Sequence, residues 1–173
     1  MKQLILGGVR SGKSRIAEQL AIDSSLDVAY IATATAGDAE MQERIQKHQQ
    51  QRPAHWQSIE EPLLLSDVLQ SHASADRCIL VDCLTLWLTN LLLKEDDDFF
   101  NTQRDALLEC LATLPGQIIF VSNETGLGVV PMGELTRRYC DEAGLLHQAI
   151  AQQCDRVILS VAGLPHVLKG EPL

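Results

Sequence analysis

Residues 7 to 14 read Gly7-Gly8-Val9-Arg10-Ser11-Gly12-Lys13-Ser14 and fit G-x-x-x-x-G-K-[ST], the phosphate-binding P-loop. Glycines let the chain turn tightly, so that successive backbone N–H groups converge on a phosphate. A helix opening at the end of the loop adds the partial positive charge of its N-terminus. Lys13 is then expected to reach the β- and γ-phosphates of a nucleotide, and the Ser14 hydroxyl to hold Mg²⁺. The alternative is a glycine turn that only mimics the motif. Context speaks against it, because the apolar run Leu4-Ile5-Leu6 precedes the loop and a helical pattern from Arg15-Ile16-Ala17-Glu18 follows.

A second chemical signal is Ile79-Leu80-Val81-Asp82. A carboxylate closing an apolar run is the Walker B arrangement, which sets an acid beside the Mg²⁺ held by Ser14. Asp82 could instead cap the helical pattern from Leu84. Cys83 stands where many P-loop ATPases carry a water-activating Glu, which favours transfer to an acceptor over hydrolysis. Thr33-Ala34-Thr35 ends another apolar run, at the side of a sheet where ligands bind in open α/β folds. Those hydroxyls face a nucleotide or cap the next helix. Asn123 and Glu124, in Ser122-Asn123-Glu124-Thr125-Gly126-Leu127-Gly128, are acceptor or Mg²⁺ contacts or loop hydrogen-bonders. Arg137-Arg138 meets an anionic substrate or lines a solvated face.

The segment Glu40-Met41-x-x-Arg44-Ile45-x-x-His48 places Glu40, Arg44 and His48 one helical turn apart. From spacing alone, His48 completes a half-buried face near a helix C-terminus, where the dipole tolerates imidazolium. A nucleophilic role would need a neutral ring nitrogen and a partner orienting the other one. His55, His72, His147 and His166 lack a comparable setting and read as surface or core residues.

These residues need elements to hold them. Short Ile/Leu/Val-rich runs at Gln3–Leu6, Val28–Ala32, Cys78–Val81, Gln117–Val121 and Arg156–Val161 read as strands buried on both faces, with a weaker strand at His55–Ile59. Helical patterns alternate with them over Ser14–Ile22, Asp38–Gln50, Pro62–Ser71, Leu84–Leu93, Asn101–Leu114 and Gly133–Gln153. Asp38 and Asn101 suit N-caps, Arg52-Pro53 ends its helix, and Glu95–Phe100 reads as a solvated loop. The alternation predicts an α/β fold with a largely parallel sheet flanked by helices.

A chain of 173 residues is expected to form a single domain over 1–173, burying roughly 70% of its unfolded surface. Net charge is −9 with no basic cluster, which argues against nucleic-acid partners. Five scattered cysteines without metal spacing suit reduced thiols, and the first strand begins too early for a signal peptide. No run of 18 apolar residues spans a membrane, so the expected location is the cytoplasm.

Together these segments resemble the bifunctional adenosylcobinamide kinase/adenosylcobinamide-phosphate guanylyltransferase family of cobalamin synthesis. The resemblance runs through Gly7 to Ser14, Tyr30-Ile31-Ala32-Thr33-Ala34, Glu40-Met41-x-x-Arg44-Ile45-x-x-His48 and Arg52-Pro53-Ala54-His55-Trp56. It continues through Glu60, Asp82-Cys83-Leu84-Thr85 and Asn123-Glu124-x-Gly126-Leu127-Gly128-x-Val130-Pro131. The P-loop is common to many families, whereas the histidine and Asn-Glu-x-Gly-x-Gly segments are specific in combination. The resemblance implies a RecA-like P-loop fold and two reactions. ATP or GTP phosphorylates adenosylcobinamide, and GTP then gives GMP to adenosylcobinamide phosphate, releasing pyrophosphate. It implies that His48 carries the GMP, against the spacing-based reading. It also implies nucleotide contacts at Gly7, Gly8, Val9, Arg10, Ser11, Gly12, Lys13, Ser14, Thr33, Ala34, Thr35, Gln49, Gln50, Gln51, Arg52, Glu60 and Asp82. Gln49 to Gln51 match by position only. A homo-oligomer, such as a trimer, is implied as well. Two rival readings are a monofunctional P-loop small-molecule kinase and a nonenzymatic nucleotide-dependent switch. The tail after Gly163 matches no motif.

Overall fold

The computed structural model describes residues 1–35 and 53–173. Successive strand residues face opposite sides of a sheet, so a strand apolar at every position must be covered twice. Seven strands form one sheet, β1 (Lys2–Gly7), β2 (Asp27–Ala32), β3 (Gln57–Glu60), β4 (Arg77–Asp82), β5 (Gln117–Asn123), β6 (Arg156–Val161) and β7 (Leu164–Lys169), and all but the largely exposed edge strands β3 and β7 meet this demand. Their order is β3-β2-β4-β5-β1-β6-β7. Neighbours pair in parallel from β3 to β6, and β7 alone is antiparallel, against β6.

Leu4, Ile31, Ile79, Val81, Ile118 and Phe120 point to one face, where they meet Leu69, Trp87, Leu107 and Leu146. Those four belong to α2 (Leu65–His72), α3 (Leu84–Leu92), α4 (Asp97–Leu111) and α5 (Glu134–Gln153). The alternate residues Ile5, Val28, Tyr30, Leu80, Ile119 and Val121 point the other way, toward Ile16, Ala17 and Ala21 of α1 (Lys13–Asp23). The period of two read along each strand is thus the division between two cores.

Two sequence expectations need correction. Of the Glu95–Phe100 loop only Glu95 and Asp96 are exposed non-helical chain, and Asn101 is no cap, because α4 begins at Asp97. The Asp96 side chain accepts from the Phe99 N–H, and Asp97 and Asp98 sit in the first turn, where the helix dipole favours negative charge. Phe100 is buried in the core. The tail after Gly163 forms β7, pairing Val161 with Leu164 through a two-residue turn. The helix expected over 38–50, its Asp38 cap and Arg52 lie outside the described residues.

Candidate active site at the carboxyl ends of the strands

Parallel strands deliver all their carboxyl ends to one edge of the sheet, and the residues with chemistry gather there. β1 ends at Gly7, level with Asn123 of β5 on one side and Ser160 of β6 on the other. Gly7 is required by crowding: a Cβ there would stand 2.4 Å from Ser11 Oγ and 2.7 Å from the Ser160 carbonyl. Gly12, at φ 96°, occupies the N-cap of α1, a conformation that disfavours other residues. The Ser11 N–H donates to the Gly8 carbonyl at 3.2 Å, closing the turn. Lys13 and Ser14 open α1 as expected.

The Lys13 ammonium donates to the Gly8 carbonyl at 3.1 Å. Partial burial lowers its pKa, while the neighbouring Cys83 and Asp82 raise it. Burial, with help from Asp82, pushes the Cys83 thiol up to about 11, so Cys83 is neutral at pH 7 and Asp82 is the negative neighbour that counts. A bound polyphosphate would favour the protonated ammonium of Lys13 and so oppose the effect of burial.

Asp82 closes β4, and the Tyr30 hydroxyl donates to its Oδ2 at 2.7 Å. It does not serve as the side-chain cap of α3, whose N-cap is Cys83 with no side-chain hydrogen bond. Thr33 is fully buried, and its hydroxyl donates to the Cys83 carbonyl at 2.6 Å and accepts from the Cys83 N–H at 2.9 Å. It braces the turn after Asp82. Asn90 of α3 donates to the Thr33 carbonyl at 2.8 Å, and Thr35 Oγ1 donates to Asn90 Oδ1 at 3.3 Å. The Thr33–Thr35 turn is therefore tied to α3. Glu60 is exposed at the end of β3, four strands from β1. At ~4.8 Å per strand it stands about 19 Å from Gly7, too far to share a phosphate with Lys13. His48 and Gln49 to Arg52 lie outside the described residues.

Asn123 and Glu124 adjoin the P-loop, with the Glu124 N–H donating to the Gly7 carbonyl at 3.0 Å. The Glu124 carboxylate accepts from the N–H groups of Gly126 (2.8 Å) and Leu127 (3.1 Å), which is the loop-bonding role. Arg138 pairs with Asp97 and lies over the Phe100 ring, and Arg137 donates to the carbonyls of Pro131 and Met132. Both arginines hold structure together here.

Ser160 and His147 belong to no motif in the sequence, and Tyr30 stands only within Tyr30-Ile31-Ala32-Thr33-Ala34. His147 Nε2 is 2.8 Å from Ser122 Oγ, Ser122 Oγ is 3.4 Å from Thr85 Oγ1, and Thr85 Oγ1 accepts from the Asn123 N–H at 2.7 Å. Tyr30, Ser122 and Ser160 did leave a trace, as single hydroxyls in otherwise apolar runs.

Fold and site together define a P-loop nucleotide-binding α/β protein. The chain superposes on the RadB recombinase with a TM-score of 0.53 at 14% identity, over 91% of this chain and 73% of that one. A protein of Pyrococcus horikoshii OT3 superposes with a TM-score of 0.53 at 8% identity, over 99% and 87%. At such identities the likeness shows the fold alone. Residues 3–168 match the family described as cobinamide kinase / cobinamide phosphate guanyltransferase, and the chain belongs to it. It is 67% identical to the bifunctional adenosylcobalamin biosynthesis protein CobP of Pseudomonas aeruginosa over the full length of both. It is 36% and 38% identical to the CobU proteins of Escherichia coli and Salmonella typhimurium, over 95% of this chain and 97% of each relative. The expected family is borne out, and the rival kinase-only and switch readings give way. Among the described residues, no helix is long and apolar enough to cross a membrane.

Proposed function

We propose that one P-loop site serves both reactions: phosphorylation of adenosylcobinamide by ATP or GTP, then transfer of GMP from GTP to adenosylcobinamide phosphate. The observation that carries this reading is the juxtaposition of the Gly7–Ser14 loop, Lys13 and Asp82 at the ends of β1 and β4, which flank β5. In the kinase step the substrate hydroxyl oxygen attacks the γ-phosphorus and gives up its proton to solvent, while the bond from that phosphorus to the β-phosphate oxygen breaks and the nucleoside diphosphate leaves. Lys13 and the loop N–H groups hold the charge that spreads over the phosphoryl oxygens.

Ser14 and Asp82 are the residues that would hold Mg²⁺. A hydroxyl and a carboxylate are the hard oxygen donors this ion takes, and it commonly uses one or two protein carboxylates beside substrate phosphates. The ion would neutralise phosphate charge during transfer.

In the second reaction a neutral His48 nitrogen attacks the α-phosphorus of GTP, an N–P bond forms, and pyrophosphate leaves. A phosphate oxygen of the acceptor then attacks that phosphorus and breaks the N–P bond, giving adenosyl-GDP-cobinamide. Covalent relay splits a displacement between two anions into two easier steps. The role of His48 rests on the Arg44-Ile45-x-x-His48 match. Thr33 to Thr35, Gln49 to Arg52 and Glu60 complete the nucleotide contacts in this reading, with Glu60 far from the phosphates.

The five free cysteines support a reducing, cytoplasmic setting. A homo-oligomer, such as a trimer, is supported by exposed Leu127, Val129, Val130 and Met132. Separate assays of the two reactions test the division of labour. His48→Asn is expected to abolish guanylyl transfer and keep kinase turnover within about threefold, since the phosphate clamp is untouched. Loss of both activities in the folded variant, or retention of both, contradicts it.

A further inference from the structure

We infer that the C-terminal hairpin is a clasp for the P-loop, and that Ser160 and Gly163 are positioning residues for nucleotide binding. The inference rests on the proposed placement of the phosphates in the Gly7–Ser14 loop. β6 is the neighbour of β1 on the side away from Asp82, so its carboxyl end lies beside the loop. The Ser11 carbonyl accepts from Ser160 Oγ at 2.7 Å and from the Gly163 N–H at 2.8 Å. Both donors belong to the hairpin, and both of the carbonyl's lone pairs are used.

The approach of the two segments is as close as backbone allows. A Cβ on Gly12 would stand 2.9 Å from Gly163 Cα, and one on Gly7 would stand 2.7 Å from the Ser160 carbonyl. Arg15, in the first turn of α1, donates to the Gly163 carbonyl at 3.4 Å. The turn itself is fixed by Ala162 (φ 52°) and Gly163 (φ 79°), the two positive φ values that a two-residue type I′ hairpin requires. β7 has no other evident claim on the site. Its pairing with β6 makes the turn tight enough to present the Gly163 N–H to Ser11.

Fixing the Ser11 carbonyl fixes the peptide planes around it, and with them the N–H groups that a phosphate must find already aimed. A loop released from the clasp spends part of its time in other conformations, and apparent affinity falls by the fraction still competent. Ser160→Ala removes one of the two bonds. Gly163→Val forces a β-branched residue to positive φ, and Gly163→Ala is the milder form should the valine variant not fold.

The test is titration of the full-length chain with Mg²⁺-GTP by calorimetry, together with steady-state kinetics and a thermal melt. Ser160→Ala is expected to raise the GTP Kd about threefold to tenfold, the range that one hydrogen bond spans. The Gly163 variants should raise it by about tenfold or more, by the same conversion of strain into affinity. Nucleotide KM should rise in both reactions, while KM for the corrinoid acceptor stays at the parent value. Ser160→Thr, which keeps the hydroxyl, should bind nearer to the parent than Ser160→Ala does. Lys13→Ala in the same titration separates the two claims. If it binds GTP like the parent, the P-loop reading fails and the clasp with it. If it binds weakly while folded Ser160→Ala and Gly163→Ala bind like the parent, or if acceptor KM rises in step with nucleotide KM, the clasp is overturned.

Discussion

The loop after β1 and the loop after β5 leave the sheet side by side, linked by the bond from Glu124 to Gly7, yet they are held in opposite ways. The P-loop is gripped from outside, its Ser11 carbonyl bonded twice by the β6–β7 hairpin and its Gly12 packed against Gly163. The β5 loop is held largely by its own members and by the helix it leads into, through Glu124 and Arg137. Leu127, Val129, Val130 and Met132 are 81%, 94%, 74% and 95% exposed, beside a cleft of about 530 Å³ lined by Thr125, Pro131, Arg137, Cys140 and Leu145. A phosphate has one shape, so its cradle can be built in advance from backbone. The β5 loop instead carries exposed apolar side chains, as the oligomer proposed above would need.

The grip on the P-loop matters only if that loop carries the chemistry. Lys13→Ala is expected to have the largest effect, lowering kcat/KM of both reactions by about 10²- to 10³-fold, as loss of one transition-state charge clamp does. Wild-type rates in the folded variant would remove the P-loop from the chemistry. Next comes Asp82→Asn, expected to raise the Mg²⁺ concentration for half-maximal rate by about tenfold while the melting temperature changes little, since Asp82 makes no cap for α3. A melt that falls sharply while metal dependence stays fixed would assign Asp82 to structure instead.

The exposed region sharpens the contrast with a smaller effect. Replacing Leu127, Val129 and Met132 together by Ser should lower the mass measured by light scattering toward that of one chain, if these residues are the covered surface. An unchanged mass would move the interface elsewhere.

The smallest effect belongs to the hydroxyl chain behind the β5 loop. Burial lowers the His147 pKa below its ordinary value of about 6.5, with Glu124 opposing. The folded protein therefore prefers neutral His147, and the unfolded chain takes up a proton first as pH falls. Its contribution to stability is complete above pH ~6.5 and is lost as pH drops toward the lowered folded value. Chemical denaturation from pH 7.5 to 5.5 should show a gentler decline in His147→Gln than in the parent. Parallel curves would separate His147 from the pH response.

Most of the sheet was legible because strands buried on both faces leave unbroken apolar runs, as at Cys78–Val81 and Gln117–Val121. The P-loop was legible because its backbone geometry restricts residue types locally. Asp96 to Asp98 misled, since acids that solvate a loop and acids that start a helix look alike until Phe100 is seen in the core. β7 was hidden because its residues are largely exposed and its pairing is fixed by the turn at Ala162-Gly163, not by an apolar run. Ser160, Ser122 and Tyr30 could be noticed as polar intruders, but their partners lie 149, 25 and 52 residues away. Sequence shows the hydroxyl; only the fold shows what it holds.

We propose above that one P-loop site carries phosphoryl transfer and a covalent guanylyl relay. Intact-mass measurement after incubation with Mg²⁺-GTP, followed by peptide mapping, tests it most directly. One GMP per chain is expected on a ring nitrogen of His48, stable to mild base and released by acid, and none on Lys13→Ala or His48→Asn. GMP mapped to another residue, or no adduct while guanylyl transfer proceeds, would contradict it.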